Sequence, residues 1–431
     1  MLTVVDLRGS DGDPLTRLPR AVVDREAARG TVRGIVADVR DRGDAAVLEQ
    51  QERYGVRPLA LRVPASEVEA ARGAAPERLS AAIEQAAARI RAYHERQAAE
   101  ERAPFWRIGN DGALVGEESR AVASAGCLAP GGRAPLPSSV LMTAIPARIA
   151  GVERVVVCSP PAADGRIHPA TLAACAIAGV DEVYAMGGAQ AVAALAYGTE
   201  TVGRVDVIVG PGSIWTTLAK HEVALDVGVD SFAGPTEVVI VADATAPPAF
   251  VAADLVAQAE HDPLATALLI TPSEDLVRAV GDALEKEVPA ASRRDDIESA
   301  LRGQGRAVLV RDLDHAMAVA NSFAPEHLEL ICADAEDRLL QVRDAGAVFV
   351  GAYSPVALGD YVAGTNHVLP TAGSARFASP LRVSHFVKAT AVISFGRSGL
   401  DEVGASLIEL AEAEGLDAHA RALRIRLEEG S

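Results

Sequence analysis

The stretch "APEHLEL" sets a carboxyl group and an imidazole side by side, Glu326 and His327, where a helix-like run, "LDHAMAVANSF", gives way to a strand-like one. Two titratable groups at the terminus of a buried strand are either proton carriers or a polar edge. The pair alone does not separate these readings. Upstream, "DLVAQAEHDP" holds Gln258 and His261 three residues apart near a helix end, so both side chains fall on one face. An amide oxygen and an imidazole at that spacing can share one metal ion. A histidine at a helix C-terminus is also favoured by the helix dipole without any ligand, and two donors do not make a site. "LGDYVAGTNHV" adds Asp360, Asn366 and His367 in a long loop after a strand. In parallel sheets that is the end where ligands bind, although Asp and Asn also serve ordinary Asx turns. In "AEAEGLDAHARALR", Glu414 and His419 flank a corner where Gly415 reads as a helix stop and Asp417 as the next N-cap. The corner is either functional or part of an exposed terminal helix. Two glycine turns, "GGAQ" at 187–190 and "GPGS" at 210–213, end strands and open helices. They are tight turns or places where backbone amides approach a phosphate, with Gln190 and Ser213 at the helix openings. Neither is the GxGxxG fingerprint.

The elements that must position these groups follow from the hydrophobic pattern. The 431 residues are 49% hydrophobic but only 4% aromatic, which implies cores built from Ala, Val, Leu and Ile in more than one unit. A formal charge of −18 argues against nucleic acid and anionic membrane as partners. An anionic cofactor must then be held by local amides. The start shows no signal-peptide pattern and no apolar run is long enough to span a membrane, so a cytoplasmic location is expected. Cys127, Cys158, Cys175 and Cys332 form no CxxC pair, and the last three lie in apolar stretches as small buried hydrophobes.

Residues 1–125 read as helical after a short leading segment. In "RLSAAIEQAAARIRAYHERQ", Leu79, Ile83, Ala86, Ile90 and Tyr93 form one amphipathic stripe, with His94 on the solvated face. After the Gly/Pro-rich break at 126–139, "ERVVVCSP", "DEVYAMGG" and "VDVIVGPG" are strands that alternate with helices. A second series runs through "TEVVIVAD", "TALLITP", "AVLVRD", "HLELICAD" and "GAVFVGA". The expectation is α/β: two doubly wound parallel-sheet, incomplete Rossmann-like domains with small N- and C-terminal segments. The boundaries are 1–25 for the N-terminal segment, 26–125 with 236–380 for the unit carrying metal and acid-base residues, 126–235 for an NAD-binding unit, and 381–431 for a C-terminal dimerisation segment.

Together, "PGGRAPLPSSVLM", "GGAQAVAALAYGTE", "VGPGS", "AGPTEVVIVAD", "AADLVAQAEHDP", "APEHLEL", "LGDYVAGTNHVLPTAG" and "EGLDAHA" resemble the histidinol dehydrogenase family from end to end. The resemblance implies zinc-dependent oxidation of L-histidinol through the aldehyde to L-histidine, the last steps of histidine biosynthesis, with two NAD reduced in succession. It makes Gln258, His261, Asp360 and His419 zinc ligands and Glu326 and His327 the acid-base pair. It assigns Thr236, Gln258, His261, His327, Asp360, Glu414 and His419 to substrate, and Leu128, Gln190 and Ser213 to the cofactor. It also implies a homodimer in which Glu414 and His419 come from the partner subunit. In that chemistry His327 takes mainly the alcohol proton and Glu326 mainly the proton of the water added to the aldehyde. A Gln–Asp–His donor set is harder than a thiolate site, so manganese or cobalt can substitute, and the ion mainly orients substrate.

The match departs from the family pattern at the cofactor. Leu128 stands where the family usually has Tyr, and Ser213 where it has Asn, which weakens NAD binding by about 1–3 kcal/mol in total. Thr236 replaces the usual Ser and keeps the hydroxyl, while Arg382 and His385 in "SPLRVSHFVK" are unusual. Two other readings remain beside histidinol oxidation: a relative that oxidises a different primary alcohol with NAD, and a zinc-binding protein without redox activity.

Overall fold

A computed structural model of the chain describes residues 2–428 apart from 10–11, 19, 22–23, 102–104, 109–112 and 132–133. Part of the "PGGRAPLPSS" turn therefore lies outside the described residues.

The β-branched runs of the second half assemble with a short N-terminal run into a six-stranded, all-parallel sheet. Its strands are β1 (Thr3–Asp6), β9 (Glu237–Ala242), β10 (Thr266–Thr271), β11 (Arg306–Leu309), β12 (His327–Ile331) and β13 (Ala347–Val350), in the order β1-β11-β10-β9-β12-β13. Every residue of β9 and β10 is buried, as expected of strands covered on both faces. Val238, Ile240, Leu269 and Ile331 pack under α9 (Pro248–Ala259), α10 (Glu274–Glu287) and α11 (Arg294–Gln304). Val239, Val241, Leu328 and Leu330 face α12 (Leu313–Phe323) on the other side. Short α13 (Ala335–Arg338) follows β12, and α14 (Val356–Tyr361) follows β13.

The second parallel sheet contains β4 (Ser124–Leu128), β5 (Arg154–Ser159), β6 (Glu182–Ala185), β7 (Val207–Val209) and β8 (Gly228–Val229), in the order β6-β5-β4-β7-β8. Around it stand α1 (Arg25–Arg42), α2 (Asp44–Tyr54), α3 (Ala65–Ala74) and α4 (Glu77–Glu101), together with α5 (Pro137–Ala150), α6 (Pro169–Ala178), α7 (Gly188–Tyr197) and α8 (Ile214–Val223). The doubly wound, two-sheet class expected from the strand pattern is what forms.

Three readings of the first 130 residues need correction. Helices α1 and α2 pack with α7 and α8, and α3 and α4 with α5 and α6, so the helices of 26–125 cover the five-stranded sheet and not the six-stranded one. A third, antiparallel sheet joins β2 (Phe105–Ile108) and β3 (Leu114–Ala121), both in the stretch read as helical, to β14 (Val387–Ser394), where "KATAVISF" reads as a strand. None of the side chains of β3 is buried, so no apolar alternation marks it, and its partner β14 lies far along the chain. Finally, His94 is fully buried and Tyr93 is exposed. The buried stripe of α4 runs Ile83–Ala86–Ala87–Ile90–His94, and the His94 imidazole is satisfied by Gln97 Oε1 at 3.0 Å and the Asn366 amide at 3.4 Å. Cys127, Cys158 and Cys175 are buried as expected, while Cys332 is only half-buried.

The C-terminal helices α15 (Arg397–Ala413) and α16 (Asp417–Glu428) pack mainly on each other, with Gly415 at φ 72° between them. Among the described residues no helix is long and apolar enough to cross a membrane.

The glycine turn after β7 is held by a buried ion pair. Gly210 adopts φ 108°, and a Cβ there would lie 2.5 Å from the Leu128 carbonyl oxygen. Lys220 Nζ donates to the Gly210 carbonyl at 2.5 Å and to Asp230 Oδ1 at 2.6 Å, while Asp230 Oδ2 accepts the Gly210 N–H at 2.7 Å. Both side chains are almost wholly buried. Removing one member leaves the other charge without compensation. Lys220→Met is therefore expected to destabilise the fold by about 3–5 kcal/mol in denaturant titrations. A loss below about 1 kcal/mol would show that the pair is not what holds this turn.

Candidate active site

β9 and β12 lie side by side with His327 opposite Val238, which brings Glu326 against Thr236 and Glu237 at the amino ends of both strands. The helix before β12 is capped at its start by Asp312 and ends at Ala324 in the left-handed region, φ 48°. That conformation costs roughly 1–2 kcal/mol in a residue with a Cβ. Arg20 spans this turn: its Nη2 bonds the Phe323 and Ala324 carbonyls, and its Nε donates to Glu237 Oε1 at 2.6 Å.

The Glu326 carboxylate is fixed on one oxygen. Oε2 accepts the Thr236 hydroxyl at 2.5 Å and the Glu237 N–H at 2.9 Å. The Thr236 hydroxyl in turn accepts from Gln258 Nε2 at 2.6 Å. Thr236 thus spends its proton on Glu326 and keeps a single lone pair for anything else. Burial pushes the Glu326 carboxyl up to about 7, against the opposing pull of the Thr236 and Glu237 donors. Burial likewise pushes its neighbour Glu237 up to about 7, with the Arg20 charge working against it.

His327 is buried and its Nδ1 donates to the Glu237 carbonyl at 2.9 Å, which leaves Nε2 as the proton-accepting nitrogen. Burial lowers its pKa while the Asp360 charge raises it, so the ring is held neutral near pH 7. Its Nδ1 stands 3.5 Å from Glu326 Oε2.

Gln258 is buried in the last turn of α9, and His261 lies just past its end. His261 Nδ1 donates to the Ala257 carbonyl at 2.9 Å, so the helix-terminus role and a free Nε2 coexist in one ring. His261 Nε2 is 3.9 Å from Asp360 Oδ2 on α14. Two donors that each sit about 2.1 Å from one ion are at most about 4.2 Å apart, so this spacing fits a shared cation. The Gln258 Oε1 atom is buried with no hydrogen-bond partner, although its own NH2 is used. A buried amide oxygen without a donor calls for an electrophile, and with an imidazole nitrogen and a carboxylate beside it the donor set fits a zinc-type ion.

The location differs from the expectation drawn from the strand order. Ligands were expected at the carboxyl ends of the six-stranded sheet, yet Glu326, His327 and Thr236 lie at its amino ends. The cause is α14, whose six residues carry Asp360 back along the sheet from the carboxyl end of β13, while α9 descends in parallel and delivers Gln258 and His261. The long loop after α14 then crosses to the other unit. Asn366 donates to the Met142 carbonyl at 2.6 Å, and the Ser139 hydroxyl donates to His367 Nε2 at 3.3 Å.

Glu414 and His419 are not brought to this group within the chain. Both are exposed on the C-terminal helices, and among the described residues no three His, Cys, Asp or Glu side chains gather as a metal cage. Several participants were not selected from sequence. In the sequence His367 reads only as a loop residue, yet its half-buried ring feels the charges of Asp360, His327 and His261, and its Nδ1 donates to the Asp360 carbonyl at 2.9 Å. Arg20 and Ser139 carry no local signal. Glu237 carries a weak one, an acid at the head of an otherwise apolar strand.

The candidate cofactor residues collect at the carboxyl edge of the five-stranded sheet, where β4, β6 and β7 end. Leu128 is buried in the core with Tyr184 and Leu195, so its side chain offers nothing to a ligand. Gln190 is also buried, and its amide donates to Gln51 Oε1 at 3.0 Å. Gln51 Oε1 also accepts the Gly187 N–H at 3.2 Å, so the "GGAQ" turn is tied to α2. Ser213 is exposed at the N-cap of α8 and makes no side-chain cap bond there.

The sequence profile of the histidinol dehydrogenase family matches residues 18–427. A histidinol dehydrogenase of Thermobifida fusca is 47% identical over 431 aligned residues, covering 99% of this chain and 98% of that one. One from Parasynechococcus marenigrum is 48% identical, covering 93% of this chain and 91% of its own. The crystal structure of histidinol dehydrogenase from Elizabethkingia anophelis superposes with a TM-score of 0.93 at 32% identity, covering 99% and 98% of the two chains. With a family profile spanning both sheets and the C-terminal helices, and relatives matched over nearly their whole length, the chain belongs to the histidinol dehydrogenase family of NAD-dependent oxidoreductases.

Proposed function

We propose that this protein oxidises L-histidinol through L-histidinal to L-histidine, the last steps of histidine biosynthesis, with two NAD reduced and with zinc bound by Gln258, His261, Asp360 and His419. The observation that carries the reading is the relay Gln258–Thr236–Glu326 beside a neutral His327, with Gln258 Oε1 buried and unpartnered. NAD supplies the hydride acceptor, and the divalent cation supplies a fixed positive centre for an imidazole-and-amine substrate.

Alcohol oxidation requires a base for the hydroxyl proton as hydride leaves. His327 serves because its Nδ1–H is anchored on the Glu237 carbonyl, which presents Nε2 as acceptor. Oxidation of the aldehyde requires a water to be deprotonated. Glu326 serves because one oxygen is immobilised by Thr236 and Glu237 while burial keeps the carboxylate basic enough to take a proton near neutrality. Glu237, braced by Arg20, holds both groups in place. Because the two bases are adjacent, the reactive aldehyde need not leave between steps. Residues 126–235 serve as the NAD-binding unit, with Gln190 and Ser213 facing the cofactor edge and Leu128 acting only through its backbone.

The C-terminal segment, 381–431, docks on a second copy. Leu410 and Leu416 are exposed on the α15–α16 hairpin, which packs mainly on itself, and Ile393 is exposed on the neighbouring β14, so these apolar side chains are suited to a partner surface. In the dimer each tail delivers Glu414 and His419 to the other chain's Gln258, His261 and Asp360.

NADH formation measured with histidinol and with a panel of other primary alcohols tests the substrate. Histidinol is expected to be preferred, and equal or faster turnover of an alcohol lacking the imidazole would overturn it. His327→Asn is expected to slow alcohol oxidation by about 10²–10⁴-fold while leaving the fold intact. An unchanged rate would remove His327 from that role. In Glu326→Gln, histidinal is expected to accumulate. For the native enzyme the aldehyde step rises with pH through an inflection at or below about 7, since a bound cation nearby favours the carboxylate. That inflection is absent from the variant; its persistence would assign the titration elsewhere. His419→Asn co-expressed with Glu326→Gln is expected to regain about a quarter of native sites, because each mixed dimer has one intact site. Absence of any recovery would mean that each site is built within one chain.

A further inference from the structure

Behind the candidate site, on the same face of the six-stranded sheet, stands a second pair of acids that the proposed chemistry does not use. Along β12, Glu329 follows His327 by two residues and so returns to the same face about 6.7 Å further on. Along α9, which runs back against the strands, Asp254 precedes Gln258 by four residues, about 6 Å in the same direction. The two carboxyl groups therefore meet one layer deeper than Gln258 and His327.

Glu329 is only 1% exposed. Its Oε1 accepts the N–H of Val356, the first residue of α14, at 2.9 Å. Its Oε2 is buried with no N–H or O–H donor among its fixed hydrogen-bond partners. The group beside it is the carboxyl of half-buried Asp254, near enough for each to act on the other's charge. Two carboxylates are acceptors only, so a hydrogen bond between them forms only when one of them carries a proton. The electrostatics agree: burial pushes Asp254 up to about 6 and Glu329 well above the ordinary carboxylate range. One proton between them supplies the donor that Oε2 otherwise lacks.

We propose that Asp254 and Glu329 share a proton and that this carboxyl pair is the positioning device for the metal site, fixing α9 and α14 against β12. Each ligand-bearing helix is tethered about one turn from its ligands. Asp254 is four residues before Gln258 on α9, and the Val356 amide held by Glu329 is four residues before Asp360 on α14. The helix has only six residues, placed otherwise by Val356 in the core and Gly359 against Phe349, and the His261–Asp360 spacing depends on its distance from α9. The inference rests on the proposed reading of Gln258, His261 and Asp360 as ligands. Asp254 and Glu329 themselves touch neither ion nor substrate.

The test is Zn2+ affinity of the metal-depleted full-length protein, by chelator competition, for the native chain, Asp254→Ala, Asp254→Asn and Glu329→Gln. Asp254→Ala is expected to weaken Zn2+ binding by about 10–100-fold, the range found when groups that orient metal ligands are removed. NAD binding should be unchanged in all of them. Asp254→Asn and Glu329→Gln should stay within about threefold of native, because an amide offers Glu329 or Asp254 a permanent donor. In the infrared, the native protein should show a carboxylic-acid C=O band that is lost in both amide variants, a readout that holds even if Asp254→Ala fails to fold. Native-like affinity in Asp254→Ala, a loss in Asp254→Asn as large as in Asp254→Ala, or an unchanged acid band would each overturn the inference alone. A native chain that takes up no Zn2+ would instead overturn the metal reading, and the inference with it.

Discussion

The parallel register that sets His327 opposite Val238 is the constraint on which the site depends. With that register, the Glu326 carboxylate lies over the Glu237 amide and the Thr236 hydroxyl, and the Glu237 carbonyl meets the His327 ring. A slip of one residue would turn His327 toward α12 and bring Leu328 into its place, because side chains alternate across the sheet. The register is specified by the apolar side chains that dominate both faces. Val238 and Ile240 must pack under α9–α11, and Val239, Leu328 and Leu330 under α12. Hydrophobic packing of ordinary kind therefore positions Glu326 and His327 to within hydrogen-bond distance of their partners.

Around that register, most polar groups are paired, and the exceptions are informative. Arg20 neutralises part of Glu237 and covers the carbonyls of the left-handed Ala324 turn. Thr236 passes the Gln258 amide on to Glu326. Among the atoms of this strand pair and α9, Gln258 Oε1, Glu237 Oε2 and Glu329 Oε2 are buried without a partner. Native structures leave few such atoms unsatisfied unless a ligand or ion meets them. Low polarity at the same place keeps His327 neutral and Glu326 near its switching point, so burial both excludes water and sets the bases.

The candidate cofactor edge is built on different lines. It relies on backbone geometry locked by side chains: Gln51 ties the 187–190 turn, and Lys220 with Asp230 ties Gly210. The Leu128 side chain packs in the core, so a tyrosine side chain at this position would have to leave the core to meet a ligand. This fits a chain whose strongly negative surface cannot draw an anionic cofactor in by long-range charge and must hold it by amides.

Much of this was legible along the chain. The strands of both parallel sheets announce themselves as β-branched runs between glycine turns, and Glu326, His327, Gln258, His261 and Asp360 stood out by type and spacing. The half-buried β3 did not, because a strand without a buried face has no apolar alternation, nor did buried His94, which satisfies itself through Gln97 and Asn366. The sequence by itself determined the alternation of strands and helices, the family, and which donor groups exist. Only the tertiary structure decided that they converge at the amino ends of the strands, that Arg20, Glu237 and Ser139 join them, and that Glu414 and His419 stay outside. The physical reason is that a residue's type and local period set its element and face, whereas strand order, register and the path of α14 come from packing between segments far apart in sequence.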